Sequence, residues 1–204
     1  MVLIFTGYLL QVKNKKTYIE MPVKILVLLL ISLIASSFRQ DQEVYITRNG
    51  QVDFISDAPL ELIQASSKGL VGALNITDRS FSFQIPSRSF EGFNSSLQRT
   101  HFNEDYMESE LFPNSTFKGK IIEEVDLNAP GNYTIRAKGK LSIHGVEKDR
   151  IIRCSLKVGS RRIDVKSNFT VFLDDHDITI PSIVNKKIAE EIKVEINLTL
   201  LPNQ

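Results

Sequence analysis

Three histidines, one cysteine and a run of four charged residues are the side chains from which this chain of 204 residues could build a reactive site. Cys154 is the single cysteine, so no disulfide forms within the chain. It shares the apolar parity of Ile152-Arg153-Cys154-Ser155-Leu156-Lys157-Val158, where cysteine acts as a small buried hydrophobe. A nucleophilic thiolate needs a base and an electropositive setting, and no partner is apparent. Asp174-Asp175-His176-Asp177 carries the donors of a metal site. Successive side chains of extended backbone point to opposite faces, however, and rarely converge on one ion. A solvated hairpin turn is expected there. His144 precedes Gly145 and is expected to serve a turn. Glu123-Glu124 and Glu190-Glu191 are adjacent pairs that read as solvated carboxylates, not as an acid/base couple. No H-x-x-x-H, C-x-x-C, G-x-S-x-G or P-loop occurs. The expectation is a protein without catalytic residues, metal or cofactor, and so not an enzyme.

The elements around these residues read as strands. Ser80-Phe81-Ser82-Phe83-Gln84-Ile85 alternates polar and apolar, the mark of a strand with one buried face. The same period of two runs from Ile135 to Ile143 and from Ile152 to Val158. It recurs through Ile163, Val165, Phe169, Val171 and Leu173, and through Ile192, Val194, Ile196, Leu198 and Leu200. Leu70, Gly72, Leu74 and Ile76 form another such series, as do Phe117, Gly119 and Ile121. Val44 and Ile46 share a parity ahead of Arg48-Asn49-Gly50, and Asn-Gly between extended runs predicts a two-residue hairpin. Val52 and Phe54 would begin its return strand, and Ala58-Pro59 is a break. Two segments depart from the pattern. In Ser95–Met107, Leu97, His101, Phe102 and Met107 fall loosely on one helix side. In Pro181–Ile192, Val184, Ile188 and Ile192 are four apart, which predicts a short helix. Eight or more strands with few helices imply an all-β fold, either a sandwich or a closed antiparallel barrel.

Net charge is +1, from 25 basic and 24 acidic residues. Lys13, Lys15, Lys16, Lys24 and Glu20 fall within residues 1–37, leaving 21 basic against 23 acidic residues beyond them. No basic stripe appears, which argues against a nucleic-acid partner. Residues 25–35 are an apolar run too short to span a bilayer but suited to a signal peptide. Lys24 precedes it, and the small residues Ala35-Ser36-Ser37 follow. A signal peptide over residues 1–37 and an exported domain, periplasmic or secreted, are therefore expected. Met21 can begin a compact signal by itself, leaving 1–20 as an upstream extension. Six Asn-x-Ser/Thr sequons occur, at Asn75, Asn94, Asn114, Asn132, Asn168 and Asn197. Several lie in strand patterns, where outward-facing Asn and Thr are ordinary, and they are expected to be unmodified.

One stretch resembles a known family. Leu141, Ile143, His144, Gly145, Val146 and Lys148 fit the strand and turn of the YceI-like family, a segment close to LTIHGVTK, with Glu147 at the usual threonine. Tyr106-Met107-Glu108-Ser109, then Phe112-Pro113 and Phe117, resembles a second family segment, in which Tyr106 stands at a histidine and Asn103-Glu104 at Arg-Asp. The resemblance covers about residues 42–201. It implies a single lipocalin-like closed antiparallel β-barrel with one or two short helices, an elongated apolar cavity, and an apolar or amphiphilic lipid such as an isoprenoid chain as partner. Phe81, Phe83, Ile85, Phe117, Ile121, Ile135, Leu141, Val165, Phe169 and Val171 are then the candidate ligand-binding wall. The same residues could equally fill a solid core, since barrels of about eight strands often pack themselves with side chains. Two functions follow: an exported lipid carrier, or a non-catalytic envelope stress or structural protein with a filled interior. A homodimer is compatible with either.

Overall fold

The computed structural model describes residues 43–203. The signal segment expected over residues 1–37 lies outside them. The described residues form eight strands: β1 (Val44–Asp57), β2 (Leu62–Asn75), β3 (Ser80–Pro86), β4 (Asn114–Ile121), β5 (Gly131–Ile143), β6 (Val146–Gly159), β7 (Arg162–Phe172) and β8 (Glu191–Pro202). Each pairs antiparallel with its successor, and β8 returns to β1. Closure leaves no sheet edge with a row of unpaired backbone groups. The barrel places the expected apolar parity inward on β3 to β8: Ile135, Ala137 and Leu141 are buried on β5 while Arg136, Lys138 and Lys140 are exposed.

Strand β1 departs from the expected hairpin. Arg48-Asn49-Gly50 does not turn the chain back; it lies inside one continuous strand, where the pairing with β2 shifts between Thr47 and Gly50 and again between Gly50 and Val52. Such a bulge adds a residue and changes which parity faces inward. Tyr45 and Thr47 are buried before it, and Gly50, Val52 and Ser56 after it. The Asn-Gly signal marks a kink because β8 pairs with β1 on both sides of it, from Ile46–Leu201 to Ser56–Ile192.

The chain reverses as a tight hairpin at His144-Gly145. Ile143 pairs with Val146, and both turn residues have positive φ, 50° and 74°. This is the geometry of a two-residue type I′ turn. Gly145 is needed twice over, since a Cβ there would also fall on the Phe112 ring. On the wall nearby, Gly119 pairs with Gly139, and a Cβ on either would run into the backbone of the neighbouring strand. Two facing glycines let β4 and β5 approach there as no side-chain pair could.

All longer connections at one end of the barrel are structured. Between β3 and β4 run a 3₁₀ turn (Ser87–Ser89), helix α1 (Ser96–His101) and a π-helical turn (Phe102–Tyr106). Ser95 caps α1, its hydroxyl accepting from the Gln98 amide at 3.1 Å. Between β7 and β8, the expected helix over Pro181–Ile192 is reduced to a 3₁₀ turn at Ser182–Val184, and Ile192 belongs to β8. The strand claims Ile192 because it pairs with both Ser56 and Val171. The segment Asp174–Asp177 is likewise not a solvated hairpin. It is a 3₁₀ turn over Asp174–His176, and His176 is completely buried.

Candidate functional site

The barrel interior divides along its axis. At the end holding the β2–β3, β4–β5 and β6–β7 connections, Tyr45, Ile76, Leu127, Val158 and Ile163 are buried together with Leu200. Tyr133 packs against this group, and its hydroxyl donates to the Ala129 carbonyl at 2.8 Å. Ile163 and Leu200 have no solvent exposure at all. Above this plug the interior is hollow. A cavity of about 560 Å³ rests on Leu74, Leu156 and Leu200 and rises toward the helix-bearing end. That volume falls within the range of small-molecule sites.

All ten wall residues expected from the sequence line the cavity: Phe81, Phe83 and Ile85 from β3, Phe117 and Ile121 from β4, Ile135 and Leu141 from β5, and Val165, Phe169 and Val171 from β7. Alternation brings them together, because one parity of each strand faces one interior. Phe81 stands 4.9 Å from Phe117 and 6.0 Å from Phe83, ring centre to ring centre.

The upper wall contains a second aromatic group that alternation alone did not single out as wall. Phe54 of β1 packs against Phe90, Phe93 and Phe102 at 5.3, 5.9 and 5.5 Å, and Phe93 and Phe102 lie 5.0 Å apart. All four border the cavity. Three belong to the β3–β4 connection, which is strapped onto β2: the Ser66 and Glu91 amides and carbonyls exchange bonds of 2.8 and 2.9 Å. Phe54 and Phe102 were visible as apolar positions. Phe90 and Phe93 lie in a segment without period, and their only signal is a chain rich in Phe, with 12, and lacking Trp.

Polar groups gather where the cavity meets solvent. Gln98, His101 and Tyr106 reach its rim from α1 and the turn after it, Glu61 from the β1–β2 turn and Lys187 from the β7–β8 connection. Burial, then the Asp105 carboxylate, pushes the Tyr106 phenol above its ordinary value. Deeper in, Cys154 lines the wall, and burial pushes its thiol up. That is the opposite of an activated nucleophile.

His144 has a structural place beside the mouth. Its Nδ1 lies 3.2 Å from the His176 carbonyl and its Nε2 2.6 Å from a Glu108 carboxylate oxygen. The ring also meets Phe112 edge-on at 4.8 Å. It thus ties the β5–β6 hairpin to both long connections. His176 Nδ1 is bonded to the Val146 carbonyl at 3.1 Å, and His101 is exposed at the rim. Among the described residues, no three His, Cys, Asp or Glu side chains are grouped to hold a metal ion.

An antiparallel barrel plugged at one end and hollow at the other defines a class of cavity proteins in which strands supply the wall and connections the mouth. Within that class, the YceI-like domain matches residues 47–200, and the chain belongs to the YceI-like family. Solved structures share the fold. A polyisoprenoid-binding domain from Saccharophagus degradans superposes with a TM-score of 0.68 at 14% identity, over 80% of this chain and 100% of that one. BcnA from Burkholderia cenocepacia gives 0.61 at 14%, over 74% and 95%. A YceI protein of Campylobacter jejuni gives 0.51 at 16%, over 66% and 80%. At such identities the likeness is one of fold. No curated protein matches the chain by sequence.

Proposed function

We propose that this protein binds an apolar or amphiphilic lipid with an isoprenoid-like chain in the barrel interior, and sequesters or carries it without catalysing a reaction. The observation that carries this reading is the hollow upper barrel, lined by aromatic and aliphatic side chains down to Leu74 and Leu200. Each CH₂ moved from water into such a cavity contributes about 0.8 kcal/mol, so roughly ten offset the entropy of capture. The polar side chains at the rim suit a head group that stays near water. The polyisoprenoid-binding domain with the same fold supports the choice of ligand class. Export to the periplasm or beyond is part of the proposal and rests on the charged, apolar and small-residue sequence of residues 24–37.

Native mass spectrometry of gently purified protein tests the reading. The expected result is a bound mass that organic solvent releases and that a fluorescent apolar dye displaces. Protein that carries no lipid and takes up no dye would sink the proposal and favour a surface-acting envelope protein.

A further inference from the structure

The hollow part of the barrel has a floor, and that floor is backed by a filled core. Leu74 of β2, Leu156 of β6 and Leu200 of β8 line the cavity at its lower end, and none is more than 4% exposed. Leu156 pairs with Tyr133 on one side and Val165 on the other, and Leu200 pairs with Ile163. Beneath them Tyr45, Ile76, Leu127 and Val158 are buried in contact with one another. Close-packed side chains of this kind have no volume to give up. A chain that enters through the mouth therefore stops at the three leucines.

The strands fix how far down that stop lies. On β8 the cavity lining runs from Ile192 at the mouth to Leu200 at the floor, and on β5 from Ile143 down to Ile135. The two spans are equally long in sequence. At a rise of about 3.3 Å per residue and a tilt of about 40°, each descends about 20 Å along the barrel axis. Spread over that depth, about 560 Å³ leaves a channel about 6 Å across. Apolar carbons pack at a separation of about 4 Å, so one chain fills this width and a chain folded back on itself does not fit. An extended chain advances about 1.2 Å per bond, and an isoprene unit adds four bonds, so about four units reach from mouth to floor.

We infer that the barrel gauges the length of its ligand: it takes a single extended isoprenoid chain of about four units, with Leu74, Leu156 and Leu200 as the lower stop. The polar rim keeps the head group where the chain meets water. A shorter chain leaves the lower channel unfilled, and a longer one keeps its surplus units in water. This inference rests on the lipid-binding reading above, and its test separates the two.

The test uses the full chain loaded with an apolar fluorescent dye. All-trans prenols of two to six isoprene units compete with the dye in buffer free of vesicles. Displacement should strengthen on the order of tenfold or more per unit up to four units, because each added unit is buried. Five and six units should bring no further gain. Val165 lines the cavity just above Ile163 on β7 and is only half-buried, so a larger side chain there has space to enter. Val165→Phe raises the floor and should move the break from four units to three. Leu156→Ala lowers the floor and should move it toward five. Urea denaturation shows that each variant is folded, and where Leu156→Ala is not, Val165→Phe alone decides.

Displacement that keeps strengthening through six units overturns the gauge and leaves lipid binding intact. A break at four units that Val165→Phe does not move shows that the leucine floor is not the stop, and also overturns it. A dye that enters the cavity but that no prenol displaces does the same. A dye that never enters overturns the lipid-binding reading itself.

Discussion

The two ends of this barrel are built from the same strands and the same alternation, yet one is solid and the other hollow. At the plugged end the β2–β3 and β6–β7 connections are short, with Arg161 in a tight turn, and the longer β4–β5 connection folds Leu127 in beneath β5. There, side chains from opposite walls meet, and Ile163 and Leu200 lose all exposure. At the other end the β3–β4 and β7–β8 connections are long, and they cover the rim without filling what lies below. The difference teaches that inward parity makes a wall, while the connections decide whether the wall encloses a core or a space. Stability should therefore concentrate at the plug and binding at the hollow.

The largest stability effect is expected where packing is complete. Ile163→Ala removes buried methyl groups that neighbours cannot replace, and should cost about 3 kcal/mol. Phe169→Ala removes a larger side chain, but one bordering empty volume and already half-buried, so fewer attractive contacts are lost. It should cost roughly 1 kcal/mol in stability while weakening lipid affinity. Urea denaturation of both variants checks the pair. If Phe169→Ala proves the more costly, the upper barrel is a core in function and the comparison fails.

Adding volume should give the mirror image. Ala137 is buried on β5 and lines the cavity, so a ring placed there points into space. Ala137→Phe should change stability by less than about 1 kcal/mol, where the same insertion into a filled core costs about 1–3 kcal/mol. It should also displace the apolar dye. Retained dye uptake at wild-type affinity would mean that the ligand does not descend to the level of Ala137.

Much of this arrangement is legible in the residues, and its limits are physical. Period-two alternation names the wall strands because a strand has two faces and only one is buried. The same alternation is indifferent to whether opposite walls touch, so Phe81 and Phe169 read alike as core or as cavity lining. Asn49-Gly50 favours a turn locally, but pairing of β1 with β8 on both sides overrides it. Phe90 and Phe93 were hidden because their backbone is neither strand nor helix, and only the strap onto β2 aims them inward. His176 looked solvated amid three aspartates. Its burial depends on the β5–β6 hairpin, whose Val146 carbonyl receives its Nδ1. His144-Gly145 is legible as a turn, yet the bond from the His144 ring to Glu108 joins segments too far apart in sequence to be seen as partners.

The smallest effect expected is a pH dependence, and it belongs to the hollow end. His176 is fully buried in the turn just ahead of Ile178, which lines the cavity. Its Nδ1–H donates to the Val146 carbonyl, and Nε2 is buried without a partner among the described residues. A proton on Nε2 would be buried unpaired, which is costly. Burial accordingly holds its pKa below the ordinary 6.5; the Val146 bond and Asp175 pull it back up in part, and Arg150 and Lys148 push it down. Below pH 6.5 the unfolded chain therefore binds a proton that the folded one resists, so stability falls with acidification through that window and is flat above it. The carboxylates held low by their hydrogen bonds, Asp78, Glu123 and Asp164, lose their contribution only nearer their ordinary values below about pH 4, so they do not confuse the slope. Wild type should lose stability between about pH 7 and pH 5.5. His176→Asn should start lower, for want of the Val146 bond, but follow a shallower line. Parallel lines would show that His176 titrates as freely in the folded barrel as in the unfolded chain, and that the acid sensitivity does not come from this turn.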